Sequence, residues 1–196
     1  MASLVLSGDT SGSITVAAPA AAGSNTQTLV AATGTLAPLI AGTAVASTSG
    51  TSIDFTSIPS WVKRITVVFQ GVSTNGTAPL QVQVGSGSIS TSGYLGSGAN
   101  VGNAGTPAVA NFTTGLGLMS NSAAAALYHG TVWLNNVSGN IWVQSGVLGR
   151  SDTTGVVWSG GSIALGGVLD RLRIIGSATG SPSDTFDAGS INIIYE

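Results

Sequence analysis

Hydrophobic residues recur at every second position through much of the chain beyond residue 50. In "RITVVFQG" Ile65, Val67 and Phe69 share one side; in "PLQVQVG" Leu80, Val82 and Val84 do so, opposed by Gln81 and Gln83. "TVWLNN" sets Val132 and Leu134 against Thr131, Trp133 and Asn135, and "NIWVQSG" sets Ile141 and Val143 against Trp142 and Gln144. "RLRIIG" places Leu172 and Ile174 opposite Arg171 and Arg173, and "SINIIYE" places Ile191, Ile193 and Tyr195 opposite Asn192 and Glu196. A period of two predicts strands with one apolar and one wet face. "STNG", "NNVSGN", "SDTTG" and "SPSDTFDAG" supply turn chemistry between them, at spacings that suit a sandwich or barrel, so about eight to ten strands are expected beyond residue 50. Only "NSAAAALYHG" has helical character, with Asn121 or Ser122 as a cap and Gly130 as a stop, and it is too short to define the fold. The triplet Gly-Ser-Ile recurs at 12–14, 87–89, 161–163 and 189–191 without a fixed period, which argues against a solenoid.

The first 45 residues differ in kind. Their strand candidates, "SLVLS", "GSITVA" and "TQTLV", are short, rich in Ala and Thr, and separated by Gly- and Pro-bearing turns. So few large side chains bury too little apolar area to offset the ordering entropy of the segment by itself, roughly 1–2 kcal/mol per residue for the backbone. The segment therefore needs a partner surface. Residues 11–40 carry no formal charge, so such a peptide can lie along another protein as added strands without desolvating an ion. The expected organisation is an N-terminal arm over 1–45 and a β-sandwich head over 46–196.

Composition sharpens this picture. Gly alone contributes 29 of 196 residues, yet hydrophobic residues make 43% and the net charge is only −2, a combination that separates the chain from disordered sequences of low hydrophobicity and high charge. Charged residues are absent between Asp9 and Asp54, and again between Arg64 and Arg150 apart from His129. With Lys63-Arg64 and Arg171/Arg173 as its only basic clusters, the chain has no electrostatic footprint for nucleic acid or an anionic membrane, and neither is expected as a partner. Zero cysteines exclude disulfides and thiolate metal sites. "MASLVLSGD" lacks a basic segment and reaches Asp9 too early for a secretory signal, so synthesis as a soluble protein in the cytoplasm is expected.

Catalytic chemistry finds few residues to stand on. His129, in "ALYHGTVW", is the single histidine and reads as a hydrogen-bonded structural residue. No G-x-S-x-G, H-E-x-x-H or P-loop occurs. "GSGSISTSGYLGSGANVGNAG" has neither the Lys of a phosphate loop nor a following amphipathic helix, and is expected to be a long surface loop. Glycosidase chemistry needs a carboxylate pair, for which Asp54, Asp152, Asp170, Asp184 and Asp187 are the available residues. Asp184 and Asp187 read as turn residues capping their own backbone, with a Ca²⁺ site as the alternative, and Asp170 as an ion pair with Arg171 at a strand entrance. No cofactor is expected, and the chain reads as a non-enzyme.

The aromatic residues invite the opposite question, since Trp and Tyr are favoured contact residues. Trp61, after Pro59, is expected as a lid on the core. Trp133 and Trp142 fall opposite the aliphatic sides of their strands and so face a second layer or another subunit. Trp158 and Tyr94 sit in turn-rich stretches; with Arg150 and Asp152 they are the candidate receptor or subunit contacts.

"GTSIDFTSIPSWVKRITVVFQGVSTNG" and the ending "DTFDAGSINIIYE" resemble the C-terminal domain of virion proteins of tailed bacteriophages of the tail-fibre type. "SGDTSGSITVAAPAAAGSNTQTLVAATGTLAPL" is similar to the N-terminal segment of such fibres, with its Ala-Pro, Thr-Leu and Thr-Gly-Thr-Leu pattern. The resemblance implies a homotrimer, fixed to the particle by its N-terminal arm, with a jelly-roll-like antiparallel β-sandwich outside. The expected role is a short tail fibre or appendage on the virion surface, joined to other virion proteins through residues 1–45. Loops 85–107 and 150–162 would meet a host surface glycan or protein. The sequence has no long coiled-coil or β-helical shaft between its two parts, which favours the alternative of a capsid decoration (cement) or head-fibre protein. A polysaccharide depolymerase is the enzymatic alternative.

Overall fold

The computed structural model describes residues 3–7, 11–17, 33–34, 36–102 and 105–196. The chain divides into two compact units, Met1–Leu36 and Ala37–Glu196. The strand candidate "TQTLV" lies outside the described residues. Among the described residues there is no helix.

In the first unit, β1 (Ser3–Ser7) and β2 (Ser13–Ala17) form an antiparallel hairpin. Its register pairs Leu4 with Val16 and Leu6 with Ile14, so these four aliphatic residues share one side, with Val5 and Thr15 on the other. All four are exposed. Two strands by themselves are marginally stable in water, and this pair has no inner face to bury.

The second unit is all-β, with two large antiparallel sheets packed as a sandwich. Its strands are β3 (Ile40–Ala41), β4 (Val45–Ala46), β5 (Ser52–Thr56), β6 (Arg64–Thr74), β7 (Leu80–Ser86), β8 (Ser88–Ile89), β9 (Leu95–Gly102), β10 (Ala108–Phe112), β11 (Leu116–Gly117), β12 (Tyr128–Ser138), β13 (Ile141–Arg150), β14 (Gly155–Ala164), β15 (Arg171–Gly176) and β16 (Phe186–Tyr195). The larger sheet runs β10-β9-β14-β13-β12-β6-β16-β3, with β4 also on β16; the smaller runs β11-β7-β15-β5, with β8 on β7. The head thus starts earlier than the expected boundary at 45/46, because Ile40–Ala41 and Val45–Ala46 already pair with β16.

The core lies between the sheets. Ile65, Val67, Phe69, Val132, Leu134, Ile191 and Ile193 come from the larger sheet, and Val82, Val84, Leu172 and Ile174 from the smaller, all as the two-residue period predicts, with Ile53 of β5 joining them. Two strands depart from the pattern. Gln81 and Gln83 are buried rather than wet, because loops cover the outer side of β7: Gln81 Nε2 donates to the Ser177 carbonyl at 2.6 Å, and Gln83 Nε2 to the carbonyls of Thr114 at 2.8 Å and Gly180 at 2.9 Å. In β13 the sides are reversed: Trp142 is 3% exposed and lies in the core, while Ile141 and Val143 face outward. Gly146 fixes this parity, since a Cβ there would lie 2.7 Å from Val132 Cγ2, and a period of two then carries Trp142, Gln144 and Leu148 inward with it.

The segment 121–127 is a turn, not a helix. Ser122 N donates to the carbonyl of Thr77 in the β6–β7 connection and Ala125 N to that of Thr74 at the end of β6, instead of to carbonyls of their own segment, and Ala125 adopts φ 62°. The Gly-rich stretch expected as a surface loop contains β8 and β9, and β14 occupies most of 150–162. Glycine serves close approach here: a Cβ on Gly98 would lie 2.7 Å from Met119 N. Trp61 is partly exposed, with its ring centroid 6.0 Å from that of Tyr195, while neighbouring Val62 and Ile58 fill the core; it is not the core lid expected.

Candidate interaction surface

The four candidate contact residues separate into three environments. Tyr94 is in the interior, 1% exposed, and cannot contact a receptor. Its Oη accepts the Val84 backbone N–H at 2.8 Å and donates toward the Ser90 carbonyl at 2.9 Å, which pins the turn carrying β8 to β7. Burial pushes the phenol up to about 12.

Arg150 and Asp152 come together at the end of β13. The guanidinium Nε lies 3.2 Å from Asp152 Oδ1, which also accepts the Leu127 N–H at 3.0 Å, and the guanidinium carbon stands 5.9 Å from the Tyr128 ring centroid. The Arg150 hydrogen bond holds the Asp152 carboxyl below its ordinary range, and burial raises the Tyr128 phenol. This clasp fastens 150–152 to 127–128 and leaves both charges already paired.

Beside it, Gly71 N–H donates to His129 Nδ1 at 3.2 Å, and His129 Nε2 lies 2.9 Å from Ser151 Oγ. An Nδ1 that accepts leaves the proton of the neutral ring on Nε2, so the imidazole donates to Ser151 and presents no lone pair to take the hydroxyl proton. The arrangement satisfies the amide freed by the irregularity where β12 meets β6. It does not activate a nucleophile. Asp170 pairs with Arg171 at 2.7 Å as expected, and Asp184 accepts the Ala78 N–H at 2.8 Å and a hydrogen bond from Ser183 Oγ at 3.1 Å. Among the described residues no group of three His, Cys, Asp or Glu is placed to hold a metal ion.

Trp158 is on the outer side of β14, 42% exposed. Register places it between Val147 of β13 and Ala99 of β9; Thr131 lies beyond Val147, and Val109 of β10 beyond Ala99. The next outward row is Asn111, Ser97, Gly160, Ser145 and Trp133, and the one after it carries Leu95, Ser162, Val143 and Asn135. Val156 and Ile141 complete the apolar positions at the two ends. No charged residue stands in these rows from β10 to β12; the third row continues from Asn135 to Arg64 of β6, which pairs with Glu196. Sequence reasoning singled out Trp158 and Trp133 but missed the valines around them, because the side to which β13 turns is set by Gly146.

No protein-family model matches the chain, and neither a curated protein nor a solved structure matches it.

Proposed function

We propose that the chain is a non-enzymatic structural protein of a bacteriophage virion, a short tail fibre or appendage on the particle surface. It is attached by its N-terminal unit and exposes the sandwich to a host glycan or protein. The observation that carries this reading is the β1–β2 hairpin, whose Leu4, Leu6, Ile14 and Val16 share one exposed side. A hairpin of that kind gains its stability by lying on a larger assembly. The resemblance of both segments to fibre proteins supplies the assembly, and with it the homotrimer made in the host cytoplasm. The passage of β5, β6 and β7 between alternate sheets, with β15 inserted between β5 and β7, supports the finer jelly-roll-like reading of the head. Hydroxyl-rich turns would offer weak contacts that multivalency strengthens.

The test is removal of residues 1–36. The expected result is a head that still folds and is missing from purified particles; incorporation at the wild-type level would overturn the reading. One observation favours a second role, capsid decoration: only positions 18–36 separate the hairpin from the start of the sandwich at Ala37, which leaves little chain for a shaft. Copies per particle separate the two, few at a tail against many on a shell.

A further inference from the structure

The outer side of β9, β14, β13 and β12 is unlike an ordinary solvated sheet. Antiparallel sheets with one wet face alternate apolar and polar residues, whereas here Leu95, Val109, Val147, Val156, Trp158, Trp133, Val143 and Ile141 all point outward, each between 38% and 71% exposed. Together they make an exposed apolar group at least on the scale of the roughly 300–600 Å² of the largest patch on a typical monomer, large enough to form the apolar part of one partner's side of a stable interface.

We infer that this sheet face is a seam between copies of this chain. Three observations select a second copy as the occupant. The apolar group is large enough for one partner's side of a stable interface. Across β10, β9, β14, β13 and β12 the rows carry no Asp, Glu, Lys or Arg, and the first charge beyond them, Arg64 beside Asn135, is paired with Glu196, so a copy meeting the same surface brings no unpaired like charges together, a condition self-association imposes and a differently charged partner does not. The relief is also self-complementary. Trp158 and Val147, with Val109 beyond the small Ala99, run beside a trough of Ser97, Gly160 and Ser145 that Trp133 closes at one end, and small-over-large alternation is what lets two sheets interdigitate. Trp158 is the anchor, set against the small side chains of the Gly160–Ser145 trough of the neighbouring copy. The inference does not rest on the virion assignment, since association is a property of the purified chain.

The test uses the full-length protein. Sedimentation equilibrium at micromolar concentration should give a mass of more than one chain. V147E places an uncompensated carboxylate in the middle of the seam and should weaken association about a hundredfold or more, to a single-chain mass, with unchanged far-ultraviolet circular dichroism because Val147 makes no core contact. Since the chain contains no cysteine, S145C installs a unique thiol in the trough. Mild oxidation should convert it to a disulfide-linked pair, whereas S49C, on an exposed bend between β4 and β5 and outside the strands that form this face, should stay uncrosslinked. A single-chain mass for the wild type, as expected if a different protein covers the face, would overturn the seam. So would a V147E protein that associates like the wild type, or equal crosslinking of S145C and S49C.

Discussion

The Tyr94 hydroxyl sits 2.8 Å from the backbone nitrogen of Val84, inside the sandwich, and ties the turn at residues 87–93 to the strand it leaves. Y94F strands the buried Val84 N–H without an acceptor, which costs about 1–3 kcal/mol. Chemical denaturation at neutral pH measures it. The phenol also makes stability depend on alkali. Its pKa in the folded chain is about 12 against an ordinary value of 10.0, so the unfolded chain ionises first. The folded state therefore loses stability as pH rises from about 10 to 12, by about 2–3 kcal/mol at the top of that window. Y94F should show a shallower alkaline limb, the remainder coming from Tyr128, whose phenol is raised in the same direction.

Asp152 governs part of the acid limb. Arg150 holds its carboxyl below the ordinary value of 3.8, so its contribution is complete above that value and disappears as pH falls through and below it. D152N keeps an acceptor for Leu127 N–H but loses the ion pair. The gap in melting temperature between wild type and D152N should be widest near neutrality and narrow as pH falls below 3.8; a constant gap would show that the ion pair contributes nothing.

Gln83 closes the outer side of β7. Q83L leaves the Thr114 and Gly180 carbonyls without their donor, and the expected loss is about 1–3 kcal/mol. Hydrogen exchange should quicken first at 177–182, with β6 and β12 still protected. Uniform loss of protection would contradict the view that this glutamine acts as a loop clamp.

Gly98 and Gly166 form a matched pair. A Cβ on Gly98 would stand 2.7 Å from Met119 N and 3.0 Å from the Gly117 carbonyl, both backbone atoms that cannot swing aside, so G98A should cost about 1–3 kcal/mol. Gly166 has nothing within 4 Å, and G166A should be neutral or mildly stabilising through its effect on the unfolded chain. Thermal melts of the two variants side by side check both.

Strand parity was legible wherever the two sides of a strand differed in chemistry. β6, β12, β15 and β16 place Ile65, Leu134, Leu172 and Ile191 inward as their alternation predicts. β13 was not legible, because aliphatic residues and an indole compete for the core, and the deciding residue is a glycine whose meaning depends on Val132 across the sheet. The buried glutamines of β7 and the interior place of Tyr94 were hidden for a related reason. Each is stabilised by carbonyls or amides brought near by folding, and composition cannot reveal where those groups will be.

From its sequence alone this protein had to be all-β, sparsely charged and divided into a small-residue leader and a larger β domain, since alternation, turn chemistry and the scarcity of large side chains in the first 45 residues act locally. Only tertiary structure decided which face of β13 is buried, what covers β7, and that Trp133, Val147 and Trp158 share one uncharged outer surface. Those outcomes depend on which strands become neighbours and on the volume left between them, and both are properties of the assembled sheets rather than of any one strand.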